Sequence, residues 1–234
     1  MIKFDNEQLE KYLLFKLDKQ EKNFSEEELR EVEELVLNPV NINGEYNEID
    51  LDIIKYFTNL KRILFINLKI PEKVIEKLFT IKPLESIYFE RCDFENISVL
   101  TKLNIKEIEF VNCVLADYSF LYNMNELKSL SIVNGVISIA GINKLKRLQY
   151  LQLSYSTILY IEDIDLPHLK ELHIDNTNIY DVSIISELHE LEKLSISEEQ
   201  YIENREYYSN LSKKGIIVLN ENMVEFNEES EINE

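Results

Sequence analysis

Residues 169–179 read LKELHIDNTNI, with apolar side chains in the pattern L-x-x-L-x-I-x-x-T-x-I. The same pattern recurs along the chain, and its other copies begin at Val32, Leu60, Leu84, Ile105, Leu127, Leu148 and Leu191. From Leu84 onward the copies follow one another at intervals of about 21 to 22 residues. One such pattern is common by chance, but copies that stay in phase over most of a chain indicate a repeat architecture.

Each copy is close to L-x-x-L-x-L-x-x-N/C-x-L, the unit of leucine-rich repeats. The inward row of one short strand, here Leu169, Leu172 and Ile174, cannot be buried within a single unit, so neighbouring units must stack. The sequence therefore predicts an α/β leucine-rich repeat solenoid, a curved horseshoe with a parallel β-sheet on its concave side. Apolar residues at steps of about three predict 3₁₀ turns or short helices on the convex side.

We expect one domain in three parts. Residues 1–35 form a helical N-terminal cap, and residues 32–220 form the solenoid of about eight repeats with a closing strand. Residues 221–234 form an acidic tail that has no Lys or Arg, and we expect disorder beyond its first apolar side chains. Of these side chains, we expect Met223, Val224 and Phe226 to dock on the last repeat.

The N-terminal segment contains two helix starts. We expect Asp5 to cap the first helix, and Ser25 with Glu28 to form a capping box for a second helix that runs into Val32 and Leu35. The run FDNEQLE…FSEEELREVEEL resembles the helical cap of bacterial internalin-like proteins, in which two such helices precede SDS22-like repeats of about 22 residues. This resemblance implies a leucine-rich repeat solenoid with an α-helical N-terminal cap. It implies no particular ligand.

Three local sequence features predict the structure of the segments that connect the strands. Asn43-Gly44 predicts a turn within the stretched first interval. Pro71 suits the first position of an outer helix that ends near Thr80. The segment from Asn210 predicts a last outer turn, a glycine break and a closing strand over residues 216–219.

The composition limits the classes of partner. The 234-residue chain is 45% hydrophobic and carries a formal net charge of −19. Phosphate groups would be repelled by this charge, which argues against nonspecific nucleic-acid binding and against binding to anionic membrane surfaces. The charge is compatible with a basic protein partner or simply with solubility.

The N-terminus has no uninterrupted apolar run followed by a small-residue cleavage site, so it does not read as a signal peptide. No run approaches the roughly 18 apolar residues of a transmembrane span. If Met1 is the natural start, the sequence predicts a cytoplasmic protein, and secretion would require a signal that has been removed. We expect a monomer, because both ends of the solenoid are covered.

Catalytic and metal-binding signatures are absent from the sequence. It contains no phosphate-binding glycine loop, no nucleophile elbow and no H-E-x-x-H motif. Cys92 and Cys113 occupy the same slot of consecutive repeats, which indicates buried structural thiols. Glu171, His173 and Asp175 lie on one strand face but make an incomplete ligand set. We expect no enzyme activity, no metal and no cofactor.

In each repeat, the residues on either side of the central leucine point away from the core, onto the concave face. The fold does not require these residues, so they can determine what the protein binds. The predicted binding residues are Arg62, Tyr88, Glu90, Glu107, Glu109, Tyr150, Gln152, Tyr155, Glu171, His173 and Asp175. The sequence thus predicts a protein-interaction module that binds a protein or peptide, possibly a basic one, through tyrosines and acidic residues. The alternative is an acidic, immunity-type inhibitor that masks a basic enzyme such as a nuclease.

Overall fold

The computed structural model describes residues 1–4, 6–39, 51–115, 117–160 and 163–226. The chain divides into two compact units, Met1–Ala116 and Asp117–Glu234. Asp5, the turn predicted at Asn43-Gly44 and the tail beyond residue 226 lie outside the described residues.

Two helices open the first unit. Helix α1 (Glu7–Lys16) is capped by Asn6, whose side-chain oxygen accepts a hydrogen bond from the Leu9 amide at 2.8 Å. Helix α2 (Glu26–Arg30) has the predicted capping box, with Ser25 and Glu28 bonded reciprocally. The prediction that this helix continues to Val32 and Leu35 was wrong. The helix ends at Arg30, and Leu35 lies in the first strand, because the alternating apolar residues of ELVL suit a half-buried strand.

The strands of the first unit follow at repeat spacing. They are β1 (Glu34–Leu37), β2 (Arg62–Ile66), β3 (Lys69–Ile70), β4 (Ser86–Glu90), β5 (Asp93–Phe94) and β6 (Glu107–Val111). Strands β1, β2, β4 and β6 are parallel neighbours in that order, while β3 pairs with β5. The outer connections are the 3₁₀ helices Leu51–Tyr56 and Ile97–Lys102 and the helix α3 (Glu72–Leu78).

The core of the first unit lies behind its parallel strands. Phe65, Phe89 and Phe110 occupy equivalent positions in successive strands, and neighbouring rings stack with centroids 5.4 Å apart. The predicted outer helix is present as α3, and it buries Val74, Ile75 and Leu78. Pro71 is the N-cap of α3 rather than its first helical residue. Equivalent residues thus stack from one repeat to the next, which is how a repeat that is too small to fold alone becomes buried.

The second unit repeats this plan. Its strands are β7 (Ser129–Val133), β8 (Val136–Ile137), β9 (Tyr150–Gln152), β10 (Thr157–Ile158), β11 (Glu171–His173), β12 (Lys193–Ser195) and β13 (Ile217–Leu219). Strands β7, β9, β11, β12 and β13 are parallel neighbours in that order, and β8 pairs with β10. The outer connections include the 3₁₀ helices Ser119–Asn123, Ile142–Lys144 and Val182–Ile185, as predicted for short outer segments. One parallel strand per repeat in both units confirms the predicted α/β repeat architecture.

The C-terminal end differs from the prediction of a single outer turn. Two helices, α4 (Glu198–Glu203) and α5 (Arg205–Lys213), precede the closing strand, which begins at Ile217. Gly215 makes the predicted break, with φ at +91°.

The residues after the closing strand dock only in part. The ring of Phe226 stacks on Tyr201 at 4.1 Å, and its amide donates to the Val218 carbonyl. Met223 and Val224 are exposed, so their predicted docking was wrong. The chain turns back between Asn220 and Val224, whose amide bonds to the Asn220 side chain, and this turn directs both side chains to solvent.

Candidate binding surfaces on the strands

In the first unit, side chains alternate strictly between the core and the opposite side of the strands. Strands β2 and β4 show half-buried and buried residues in alternation, and β6 follows the same alternation with its first residue exposed. The outward residues form a surface that we call the first strand face. It consists of Arg62, Leu64, Ile66, Ser86, Tyr88, Glu90, Glu107, Glu109 and Val111.

Tyr88 lies near the middle of the first strand face. Leu64 and Glu109 are its register partners on the two neighbouring strands. The Tyr88 hydroxyl donates to Glu90 at 3.1 Å, and Glu90 in turn pairs with Arg91 at 2.6 Å. Burial, together with the nearby Glu90 carboxylate, raises the pKa of the Tyr88 hydroxyl, so the phenol stays protonated and can donate this hydrogen bond.

Arg62 and Glu109 on the same face have fewer hydrogen-bond and ion-pair partners than Tyr88 and Glu90. The Arg62 Nε is buried and has no hydrogen-bond partner. Burial raises the pKa of the Glu109 carboxyl, an effect that Arg62 opposes and Glu90 reinforces. By contrast, the charged residues just before the strands pair with one another: Lys61 with Glu33 at 2.6 Å, and Lys106 with Glu85.

The second strand face is the equivalent outward surface of the second unit. It consists of Ser129, Ser131, Val133, Tyr150, Gln152, Glu171, His173, Lys193 and Ser195. Here the alternation is weaker, because Ser131, His173 and Ser195 are buried although they lie in the outward row. The small serines and the large flanking side chains explain this, since short residues are covered by their neighbours.

Tyr150, Gln152 and His173 are packed together on the second strand face. The rings of Tyr150 and His173 lie 5.1 Å apart. The Tyr150 hydroxyl and the Ser131 hydroxyl both donate to Gln152 Oε1 at 3.0 Å. Lys193, on the next strand, forms an ion pair with Glu171 at 2.8 Å. This face therefore satisfies most of its own polar groups.

His173 is 5% exposed, and its Nε2 has no hydrogen-bond partner. Burial lowers the pKa of this imidazole, and the negative charges of Asp175 and Glu171 only partly offset the effect. The ring is therefore neutral near pH 7. The nearest carboxylate oxygen, on Glu171, is 3.8 Å away from Nε2.

Asp175 follows strand β11 and is 4% exposed. Its Oδ1 accepts hydrogen bonds from Ser154 at 2.7 Å and from Ser195 at 3.1 Å. These contacts join three successive repeats below the surface. A Ser–His–Asp relay is not formed, because the serines donate to Asp175 directly and His173 Nε2 bonds to neither.

Tyr155 has an unusual backbone conformation. It is one of a series of left-handed residues that follow the strands, which otherwise are Asn67, Arg91, Asn112, Asn134 and Asn176. Asn tolerates a positive φ better than other residues, whereas Tyr155 adopts φ +59° with 53% of its surface exposed. Tyr155 thus occupies a position where the local fold favours Asn.

The predicted binding residues fall into three groups by exposure. Glu107 and Tyr155 are exposed, while His173 and Asp175 are buried. The half-buried residues are Arg62, Tyr88, Glu90, Glu109, Tyr150, Gln152 and Glu171. His173 and Asp175 offer little surface to a partner and instead form the floor of the second strand face.

Two groups of buried residues have structural roles. Cys92 and Cys113 are buried thiols, as predicted, and Cys92 Sγ donates to the Phe65 carbonyl at 3.3 Å. Burial raises the pKa of the Cys92 thiol to about 12, so it is unreactive. Gln200 was missed by the sequence analysis. Its amide is fully buried and donates to the carbonyls of Ile174 at 3.1 Å and Ile179 at 2.7 Å.

Within the described residues, no group of three or more His, Cys, Asp or Glu side chains is arranged to hold a metal ion. No helix in that part of the chain is long and apolar enough to cross a membrane.

Parallel strands at repeat spacing, a buried thiol or hydroxyl in the same slot of several repeats and 3₁₀ outer segments together define a leucine-rich repeat fold. Solved structures with this fold are similar to the chain. Internalin C2 of Listeria monocytogenes has a TM-score of 0.55 at 18% identity, covering 83% of this chain and 94% of its own. An internalin (inlF) of Listeria monocytogenes has a TM-score of 0.53 at 21% identity, covering 93% and 75%.

A third similar structure is TLR13 in its complex with ssRNA13, with a TM-score of 0.57 at 17% identity, covering 74% of this chain and 27% of its own. At these identities the likeness shows the fold. No protein-family model matches the chain. A stretch of 59 residues is 42% identical to the uncharacterized protein MG422 of Mycoplasma genitalium, and it spans 24% of this chain and 7% of that protein.

Proposed function

We propose that this protein is a non-catalytic binding module that holds another protein against the outward faces of its parallel strands. The observation that carries the proposal is the first strand face. Its central Tyr88 is held in place by Glu90 and lies beside the half-buried Leu64. Fixed aromatic side chains among apolar neighbours are typical of residues that contribute most to protein–protein affinity.

The fold supports the same proposal. Repeat solenoids present extended surfaces whose side chains do not pack in the core, and such surfaces are generally used to bind partners. The second strand face offers Tyr150 over a floor of buried polar groups, with Tyr155 exposed at its edge.

A protein partner fits the charge better than a nucleic acid does. The net charge of −19 repels phosphate backbones. We do not extend the proposal to an inhibitor of a basic enzyme. In the second unit Glu171 is already paired with Lys193, and Asp175 is buried beneath the serines that bind it. The charge available to a basic enzyme is therefore smaller than the composition suggests.

Affinity capture with surface variants tests the proposal. The protein is immobilised as wild type, as the double variant Tyr88→Ala with Tyr150→Ala, and as the control Tyr160→Ala. Tyr160 is a tyrosine that lies outside both strand faces, and it is more exposed, at 68%, than the half-buried Tyr88 and Tyr150. We expect a protein from the source extract to be retained by the wild type and the control and lost with the double variant. Equal retention by all three forms, with folding unchanged, would contradict the proposal.

A further inference from the structure

The two strand faces differ in how their charges are satisfied. On the second strand face, Lys193 neutralises Glu171 at 2.8 Å, and His173 is held neutral by burial. On the first strand face, the Nε of the charged Arg62 is buried without a hydrogen-bond partner, whereas the unpartnered Nε2 of the second strand face belongs to the neutral His173 ring. A buried donor without a partner is less favourable than one that is hydrogen-bonded.

Among the residues that the structure describes, Glu107 and Glu109 of the first strand face form no ion pair with a basic side chain, whereas Glu90 is paired with Arg91 at 2.6 Å. The lysines next to this face are engaged elsewhere, Lys61 with Glu33 and Lys106 with Glu85. Glu107 is exposed at the start of β6, and Glu109 is half-buried two residues later. Arg62 influences Glu109 through space, and burial still raises the pKa of the Glu109 carboxyl.

The register fixes how far apart these charges lie. Arg62, Ser86 and Glu107 are partners on three successive parallel strands. Neighbouring strands are about 4.8 Å apart, so Arg62 and Glu107 are separated by roughly 10 Å at the backbone. The small Ser86 lies between them. Tyr88 and Leu64, in the adjacent row, supply the apolar contact beside this polar row.

We infer that the first strand face binds an extended polypeptide segment that carries both charges: a carboxylate directed at Arg62 and a Lys or Arg directed at Glu107 and Glu109, with an apolar residue over Leu64 and Tyr88. The inference rests on the proposed function and adds the chemistry of the partner. Arg62 as a whole is half-buried, so a carboxylate can accept two parallel hydrogen bonds from the terminal nitrogens of its guanidinium, and such charge-assisted bonds are roughly twice as strong as neutral ones. In an extended segment, residues two to four positions apart span the required distance.

The test uses a phage-displayed library of random peptides, selected on the whole wild-type protein. A selected peptide is synthesised, together with forms that replace its acidic residue by the amide or its basic residue by Met. Dissociation constants are measured by fluorescence anisotropy for the wild type and for the Arg62→Met and Glu109→Gln variants. The matched controls are Arg147→Met and Glu126→Gln, which remove the same charges at an exposed ion pair outside both strand faces. Arg62→Lys keeps the charge and serves if Arg62→Met does not fold.

We expect selected peptides to carry both charges. We expect Arg62→Met to weaken binding about tenfold or more, and removing the peptide's carboxylate to weaken binding of the wild type but not of the variant. Glu109→Gln should likewise weaken binding, and replacing the peptide's basic residue by Met should weaken binding to the wild type but not to this variant. Peptides that bind equally well to Arg62→Met, peptides without an acidic residue, or a selection that yields nothing would overturn the inference.

The outcomes also separate this inference from the proposed function. If binding survives Arg62→Met and Glu109→Gln but is lost with Tyr150→Ala, the inference fails and the proposed function stands. If no variant on either strand face affects binding, both fail.

Discussion

Replacing Asp175 tests whether this buried carboxylate holds the second unit together. Asp175→Ala removes an acceptor that two buried serine hydroxyls use, at 2.7 Å from Ser154 and 3.1 Å from Ser195. Each hydrogen bond to a charged group contributes on the order of 1.5–3 kcal/mol, but the variant also avoids burying a carboxylate. The expected loss in the free energy of unfolding is therefore about 2–4 kcal/mol.

The assay is urea-induced unfolding followed by circular dichroism, with Asp175→Asn as the matched control. The amide keeps an oxygen at the position of Oδ1, so the expected loss is about 1 kcal/mol. The double variant Asp175→Ala with Ser195→Ala should lose less than the sum of the single variants, because the two residues share one interaction. A loss of less than about 1 kcal/mol for Asp175→Ala would refute the reasoning and make Asp175 available as a binding residue.

Three further predictions concern single side chains. Gln200→Leu removes the donor to the Ile179 carbonyl and the acceptor of the Ser197 amide, while the Ile174 carbonyl keeps its bond from Thr177. The free energy of unfolding should fall by about 2–4 kcal/mol in the same assay, whereas a loss below about 1 kcal/mol would contradict the bonding observed. The pKa of His173 is lowered in the folded chain, where the ring faces Glu171, Asp175, Lys193 and Tyr150. As the pH falls below 6.5, the ordinary pKa of an imidazole, the unfolded chain takes up the proton first, so the stability of the folded chain should fall. The fall should be smaller in His173→Gln and unchanged in the exposed control His189→Gln. The free energy of unfolding of Tyr155→Asn should be about 0.5–1 kcal/mol higher than that of Tyr155→Ala, because Asn tolerates the left-handed backbone. Equal stability of the two variants would count against strain at this position.

The repeat architecture could be predicted because the same local pattern of apolar residues recurs many times along the chain. The leucines at the first, fourth and sixth positions of each unit must be inward whatever the connections do, and their register follows from the spacing. Alternation then identifies the outward residues of β2 and β4 correctly, since half-buried and buried residues follow each other there. The capping box at Ser25 and Glu28 could be predicted because it is made within four residues of sequence.

The floor of the second strand face could not be predicted in the same way. Alternation places His173 in the outward row, but its exposure depends on the sizes of Tyr150 and Gln152 on the neighbouring strand. The partners of Asp175 come from repeats before and after it, and the pattern does not specify which polar groups meet. Burial of an outward residue is thus a property of three repeats together.

The C-terminal end was mispredicted for a related reason. The equivalent residues of other repeats, such as Asp93, Thr157 and Asn178, are exposed, so the repeat pattern gave no reason to expect a buried amide at Gln200. Its role comes from the Ser197 capping box and from carbonyls that lie about 20 residues earlier. One signal was present in the sequence, because Ser197 followed by Gln200 is a capping box before YIENREYYSN.

The most direct test of protein binding by the strand faces is photo-cross-linking. p-Benzoylphenylalanine replaces Tyr88, Tyr150 or Tyr160 in the whole chain, and cells of the source organism that express each form are irradiated. The photoreactive ring is aromatic like the tyrosine it replaces, so it reports what lies against that position. We predict covalent adducts with the same protein from positions 88 and 150 and no adduct from position 160. An adduct formed from position 160 alone would place the partner elsewhere and contradict binding by the strand faces.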